Sequence, residues 1–349
     1  MRLQCNGLMR ALWCVVALCG FLPVQSQWNR FRVMEYNVEN LFDTSHDSLH
    51  DDAEFLPHSV RKWDRRKYRA KLVALAKVIV AVGENQPPEL VALCEVENDT
   101  VLRDLTRRTP LNTLGYRYVV THSADVRGID VALLYQPGRF RVVNHRSIRI
   151  PVGVGERPTR DILHVAGRMP TGDTLDVLVC HLPSRSSGER KTRPFRQRVA
   201  GVLKAQADSL MQVRSCPFIL ITGDFNDEPH SASLRQSLQA GHPEAEAAPS
   251  RLYNLMYGKT PGTYRYRGEW NMLDQFVVSG NLLRANARIR TGAADATVVQ
   301  YPFLLETDTR YGGYKPFRTY LGPRYKGGYS DHLPVRVDLW MTLPGGASR

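Results

Sequence analysis

Apolar positions along the chain fall into short runs that stop on charged or amide side chains. Residues 218–221 are a continuous apolar run that ends at Gly223, followed by Asp224, Phe225, Asn226 and Asp227. RFRVMEYNVENLFD (30–43) begins in alternation at Phe31 and Val33, then Tyr36, and turns polar at Asn37, Glu39 and Asn40. Residues 90–93 lead to Glu95, with Glu97 and Asn98 close behind, and TLDVLVC (174–180) runs into His181. YSDHLPVRVDLW places Asp331 and His332 ahead of a last strand. Short apolar runs bounded by Gly or Pro predict buried strands. Polar groups at their carboxyl ends sit where open α/β sheets gather their sites.

Helical periodicity appears three times. From Ser59, Tyr68, Leu72, Leu75, Ile79 and Val82 share one face and Gly83 marks the end. The basic run Arg61, Lys62, Arg65, Arg66, Lys67 and Arg69 reads as a solvated face. A second helix is predicted over about 99–108. A third follows the basic loop 184–198, with Pro194 in its first turn and Val199, Leu203 and Leu210 facing inward. Residues 117–137 read as two strands about a turn, with Arg127-Gly128 before the second, and 139–168 alternates as β. TYRYRGEWNMLDQFVVSG (263–280) reads as a pair of strands with Asp274 inside the second, where a buried carboxylate needs a partner. Segments 46–59 and 241–250 read as loops, and His46, His50 and His58 as surface residues. The Tyr-, Gly-, Lys- and Arg-rich stretch 310–329 either clamps nucleic acid by stacking or covers a site edge. With no tandem repeat and no linker, residues 27–349 are expected to form one mixed α/β domain.

The amino terminus departs from this pattern. Arg2 and Arg10 precede the apolar stretch 11–22, and VQS offers a cleavage site after Ser26. Residues 1–26 therefore read as a secretory signal peptide, and the protein as exported, periplasmic or extracellular. Cleavage would remove Cys5, Cys14 and Cys19 and leave Cys94, Cys180 and Cys216, with no thiolate spacing for zinc. The formal charge of +13 would fall by two, to +11, which suits an anionic partner.

The polar strand ends supply the chemistry. Asn37, Glu95, His181, Asp224 with Asn226, and Asp331 with His332 offer oxygen ligands and imidazoles, and Asp274 is a sixth position. Oxygen donors without thiolates favour Mg²⁺, with Mn²⁺ or Ca²⁺ as alternatives. Histidines among carboxylates supply general acid–base groups. The chain lacks a GxxxxGK[ST] loop and a GxSxG elbow, so nucleotide-cofactor and acyl-transfer chemistry have no support. Glu97 and Asp227 read as turn residues, and His122 and His164 as satisfied loop or strand histidines.

YNVENLF, LCEVEN, RGIDVALLY, CHLPSR, ITGDFND and YSDHLPV occur in the order of the motifs of the endonuclease/exonuclease/phosphatase superfamily, which the chain resembles over nearly all of residues 27–349. The resemblance implies a four-layered α/β sandwich: two packed, mostly antiparallel sheets flanked by helices. It also implies Mg²⁺-dependent phosphoester hydrolysis. Glu95 resembles the principal metal-binding glutamate, with Asn37 orienting the site or also contacting the metal, and Asp331 supporting the metal or the catalytic histidine. Glu39 is either a second metal ligand or a surface residue. His332 resembles a histidine paired with an aspartate, and Asp274 that partner, with a structural salt bridge to arginine as the competing role. Asp224 and Asn226 resemble the pair that aligns water and phosphate, His181 a phosphate-contacting histidine, and Arg127 a phosphate-contacting arginine. An endonuclease-like enzyme on nucleic acid is the leading expectation. A phospholipid, sphingomyelin or inositol-phosphate hydrolase is the alternative, and an inactive binding module on the same fold ranks behind both. No stable protein partner is expected.

Overall fold

A computed structural model describes residues 28–343 apart from 154 and 244–246; the expected signal peptide, 1–26, lies outside the described residues. In chain order the long strands are Trp28–Leu41 (β1), Leu90–Val96 (β2), Arg117–Val120 (β3), Asp130–Tyr135 (β4), Arg141–Ile148 (β5), Ile162–Arg168 (β6), Thr174–His181 (β7), Phe218–Asp224 (β8), Asp274–Ser279 (β9) and Val335–Thr342 (β10). One sheet has the order β10-β1-β2-β4-β3, with the short strands Ile289–Arg290 and Ala296–Val298 along β10. The other runs β5-β6-β7-β8-β9 and continues through Leu252–Asn254 to Ala240–Gly241. β1 with β2 and β7 with β8 are parallel, and the remaining pairs among the long strands are antiparallel.

The sheets pack face to face through β1, β2 and β4 against β7, β8 and β9. Strand β8 shows why its sequence is continuously apolar. Phe218 and Leu220 enter the core between the sheets, while Ile219 and Ile221 enter a second core beneath a helix, Glu189–Val213. Both faces are buried, so no polar alternation survives. Ile219 and Ile221, each at 0% exposure, contribute about 1.5–3 kcal/mol apiece by burial. Two further helices, Arg65–Gly83 (α1) and Asp99–Arg107 (α2), cover the first sheet, and the helix at 189–213 (α3) covers the second. This is the expected four-layered sandwich.

α1 buries Tyr68, Leu72, Leu75, Ile79 and Val82 as predicted, but it begins at Arg65, not Ser59. Asp64 caps it by accepting from the Lys67 backbone N at 2.9 Å. Trp63, just before the cap, is buried and donates to the Phe42 carbonyl at 3.0 Å, which holds 56–63 out of the helix. Pro194 is the sixth residue of α3, past the first turn. The expected strand pair over 263–280 is instead a small hairpin, Tyr264–Tyr266 with Glu269–Asn271, followed by β9, which joins the second sheet.

Candidate active site

Register brings the polar strand ends together. In the parallel β7–β8 pair Cys180 lies opposite Gly223 and His181 opposite Asp224, and in the antiparallel β8–β9 pair Asp274 lies opposite Asp224. Gly223 has φ +139°, and a Cβ there would sit 1.8 Å from the Cys180 carbonyl oxygen. Only glycine allows this approach. It leaves His181 Nε2 3.5 Å from Asp224 Oδ2.

The first sheet supplies the opposite wall. Asn37 Nδ2 donates to Asp224 Oδ2 at 3.1 Å and to Glu95 Oε1 at 3.3 Å. Its Oδ1 accepts from the Glu39 backbone N at 3.0 Å, which fixes the orientation of the amide. In a regular strand Glu95 would point away from Cys94, whose Sγ lies in the inter-sheet space 3.4 Å from the Cys180 carbonyl. Register shifts in β1 and β2, with Glu39, Asn40 and Glu95 at φ 51°, 54° and 65°, turn it into the site instead. The Asn40 backbone N then donates to Glu95 Oε2 at 2.9 Å. Each such backbone costs about 1–3 kcal/mol, and such residues cluster at functional sites.

His332 is fixed from two sides. Its backbone N donates to Ser330 Oγ, which donates to the Asn37 carbonyl at 2.6 Å. Its Nδ1 pairs with Asp274 Oδ2 at 2.7 Å, leaving Nε2 towards Asp224 Oδ2 at 3.8 Å. The Tyr264 ring covers it, with centroids 5.0 Å apart. Asn226, at φ 50°, donates its backbone N to Asp224 Oδ1 at 2.8 Å and its Nδ2 to the Leu182 carbonyl at 3.0 Å.

Burial and charge set the protonation states. Burial disfavours the His332 imidazolium, but Asp274 and Asp224 outweigh it and hold the pKa well above the ordinary value. His181 goes the other way: burial, then Arg160, Arg127 and His332, push its pKa well below the ordinary value, so its ring is neutral. Its Nδ1 is buried with no partner among the described groups. Burial raises Asp224 to about 7; His332 opposes that, while Asp274 and Glu95 add to it.

The group opens on a cleft of about 1280 Å³. Of the sequence-predicted residues, Asn37, Glu95, His181, Asp224, Asn226, Asp274 and His332 converge there. Asp274 has His332 as its partner, not an arginine. Asp331 lines the cleft and accepts from Arg318 at 2.9 Å. Arg127 is exposed at the mouth, with its backbone N on Asp125. Glu39 is 6% exposed, not a surface residue. Its oxygens accept from Arg318 Nε at 3.2 Å and the Thr319 backbone N at 2.6 Å, so it anchors that segment. Glu97 does brace a loop, accepting from the Asp43 backbone N at 2.6 Å. Asp227 goes beyond a turn role, forming a buried ion pair with Arg196 at 2.8 Å.

Two residues were not singled out from the sequence. Arg160 reaches the cleft from an irregular stretch, pairing with Asp125 at 3.1 Å and donating to the Leu182 carbonyl at 2.9 Å; nothing in the sequence marks it. Glu35 is fully buried between the sheets, and the alternation with Val33 and Asn37 could have placed it there. Burial, then Asp274 and Asp224, raise its pKa well above the ordinary carboxylate value.

A divalent cation fits this donor set. Glu95, Asp224 and Asp331 line one cleft with no thiolate among them, and the anionic crowding that raises Asp224 is charge a cation would offset. Asp224, Asp274 and His332 also bring one ligand atom each within 4.8 Å of one another. Because His332 Nδ1 is engaged by Asp274, we read that trio as a buttressed imidazole facing a carboxylate. Asn37 turns its NH₂ to the carboxylates and so orients them.

A family model described as the endonuclease/exonuclease/phosphatase family matches residues 32–341. The chain belongs to the endonuclease/exonuclease/phosphatase family. No curated protein sequence matches it. Among solved structures, an endonuclease/exonuclease/phosphatase family protein from Bacteroides thetaiotaomicron is similar over 91% of this chain and 100% of its own, with TM-score 0.56 and 15% identity. A mannosyl-6-phosphatase from B. thetaiotaomicron is similar over 88% of this chain and 99% of its own, at 0.54 and 15%. The human Nocturnin catalytic domain with bound sulfate is similar over 90% and 95%, at 0.52 and 19%. At these identities the likeness is one of fold. As a member of the endonuclease/exonuclease/phosphatase family, the protein is a metal-dependent phosphoric ester hydrolase.

Proposed function

We propose that the protein is an exported, Mg²⁺-dependent phosphodiesterase that hydrolyses nucleic acid. The observation that carries this reading is the Asp274-buttressed His332 facing Asp224 at the floor of a cleft far larger than one phosphoryl group. The basic chain supports an anionic polymer as substrate.

His332, kept as an imidazolium, stabilises charge on a phosphoryl oxygen. Asp224 binds a proton near neutrality and so is matched to take one from the attacking water. The neutral His181 donates from one ring nitrogen to the phosphate, and the Asn226 amide holds Asp224 in position. Glu95 and Asp331 are the carboxylates that would hold the cation. When bound, Mg²⁺ neutralises charge building on the phosphoryl oxygens and the leaving group. Arg127 meets the phosphate at the cleft mouth.

A panel of phosphoesters with purified protein tests this, with and without Mg²⁺: single- and double-stranded DNA, RNA, sphingomyelin, a phosphoinositide and mannose 6-phosphate. Mannose 6-phosphate is included because one similar fold bears a mannosyl-6-phosphatase name. EDTA-sensitive hydrolysis of the nucleic acids above the others is expected. Turnover confined to a lipid or sugar phosphate would replace the substrate assignment.

A further inference from the structure

Charge in the cleft is unevenly distributed. Glu95, Asp224 and Asp331 lie at its catalytic end. Each of the other lining carboxylates is already paired with an arginine: Asp125 with Arg160 at 3.1 Å, Glu156 with Arg198, and Glu189 with Arg193 at 3.1 Å. Arg127, Arg157, Arg185 and Lys191 also line the cleft, and among the described residues none of them forms an ion pair with a carboxylate. Arg185 donates to the neutral Asn271 side-chain oxygen at 2.7 Å.

Aromatic rings adjoin these cations, on the hairpin that carries Asn271. Tyr264, packed on His332, is followed two residues on by Tyr266, which lines the cleft at 55% exposure. Beyond it stand Tyr311 and Tyr314, 45% and 63% exposed, with Arg267 stacked on Tyr266 and Arg310 on Tyr311. The hairpin of Tyr266 is fixed to this second segment by Arg265, which donates to the Gly312 carbonyl at 2.7 Å.

We infer that the cleft is a binding track for single-stranded nucleic acid. Beyond the phosphate met by Arg127, flanking phosphates lie along Arg157, Arg185 and Lys191, and an unpaired base stacks on Tyr266. A cationic groove beside exposed aromatic rings binds a single strand with little regard to its sequence. A small phosphoester or a lipid headgroup would leave most of both walls unused. The inference rests on the nucleic-acid reading above and specifies the strand state and the residues that hold it.

Binding of a labelled single-stranded ten-nucleotide DNA to the full chain, followed by anisotropy in EDTA over a series of salt concentrations, tests it without turnover. Arg157→Gln with Lys191→Gln is expected to lower the slope of log affinity against log salt by about 1.4, at about 0.7 per neutralised phosphate. Arg103→Gln with Arg107→Gln removes the same charge from α2, outside the cleft, and is expected to keep the wild-type slope. Tyr266→Ala is expected to weaken binding roughly ten-fold without changing the slope. An unchanged slope in the cleft pair, or an equal fall in the α2 pair, overturns the track. Strand binding as expected with no hydrolysis in Mg²⁺ would instead defeat the nuclease reading and leave the track standing.

Discussion

Replacing Asp224 by Asn should trade activity for stability, in a way that depends on pH. Asp224 is 2% exposed, and burial raises its pKa from 3.8 to about 7. The folded protein therefore keeps this proton at pH values where the unfolded chain has released it. The Asp224 contribution to metal-free stability therefore falls as pH rises between those two values. A gap of about three pKa units at about 1.4 kcal/mol each is worth roughly 4 kcal/mol in full, of which about 3 kcal/mol develops between about pH 5 and pH 8. The asparagine amide has no such titration. Its NH₂ would face the donors of Asn37 and Asn226, a cost present at every pH, so the diagnostic quantity is the change in the difference between the proteins. Losing the anion also lowers the folded pKa of His332, which flattens the variant's curve in the same direction. Urea unfolding of both proteins in EDTA across this range should show the variant gaining about 3 kcal/mol on the wild type from the acid to the alkaline end. Parallel curves, or a difference that moves the other way with pH, would refute the assignment of a strained, buried carboxylate.

Three further outcomes follow from the geometry. Asp274→Asn removes the anion beside His332 Nδ1, so the imidazolium loses its support; NMR titration of the metal-free protein should show the His332 pKa falling while His181 stays neutral, and kcat should drop about 10²–10⁴-fold. Gly223→Ala places a Cβ against the Cys180 carbonyl inside the second sheet, and should cost more than about 4 kcal/mol or prevent folding, read by thermal melting and soluble yield. Glu39→Gln should lower the melting temperature by loosening the segment at 318–320, at a cost of about 1–3 kcal/mol, while calorimetry finds Mg²⁺ affinity unchanged; a lost metal site would return Glu39 to the ligand set.

How much of this was legible in the sequence differs by residue. β8 could be read because both faces of the strand are buried, which leaves an unbroken apolar run that stops where the site begins. Asn37, His181 and Asp224 sit at such stops, and His332 just ahead of the last strand, so their convergence needed only the strand register. Glu95 was found by its position, but its direction depends on a bulge, and a two-residue period would have aimed it away. Glu39 looked like a ligand or a surface group because its partners, Arg318 and Thr319, lie some 280 positions on. Arg160 comes from a stretch without periodicity and is placed only by tertiary contacts. The start of α1 was misplaced because the basic run 61–69 suits a helix throughout; the Asp64 cap and the burial of Trp63 decide where it begins.

The central claim is that the group around Asp224 and His332 hydrolyses phosphodiesters with the help of a divalent cation. The most direct measurement is kcat/KM of wild type and His332→Ala on a labelled oligonucleotide in Mg²⁺, with thermal melts to establish that both are folded. Wild-type turnover that EDTA abolishes and Mg²⁺ restores is expected, with a loss of about 10²–10⁴-fold in the variant. A folded His332→Ala protein that cleaves as fast as wild type would contradict it.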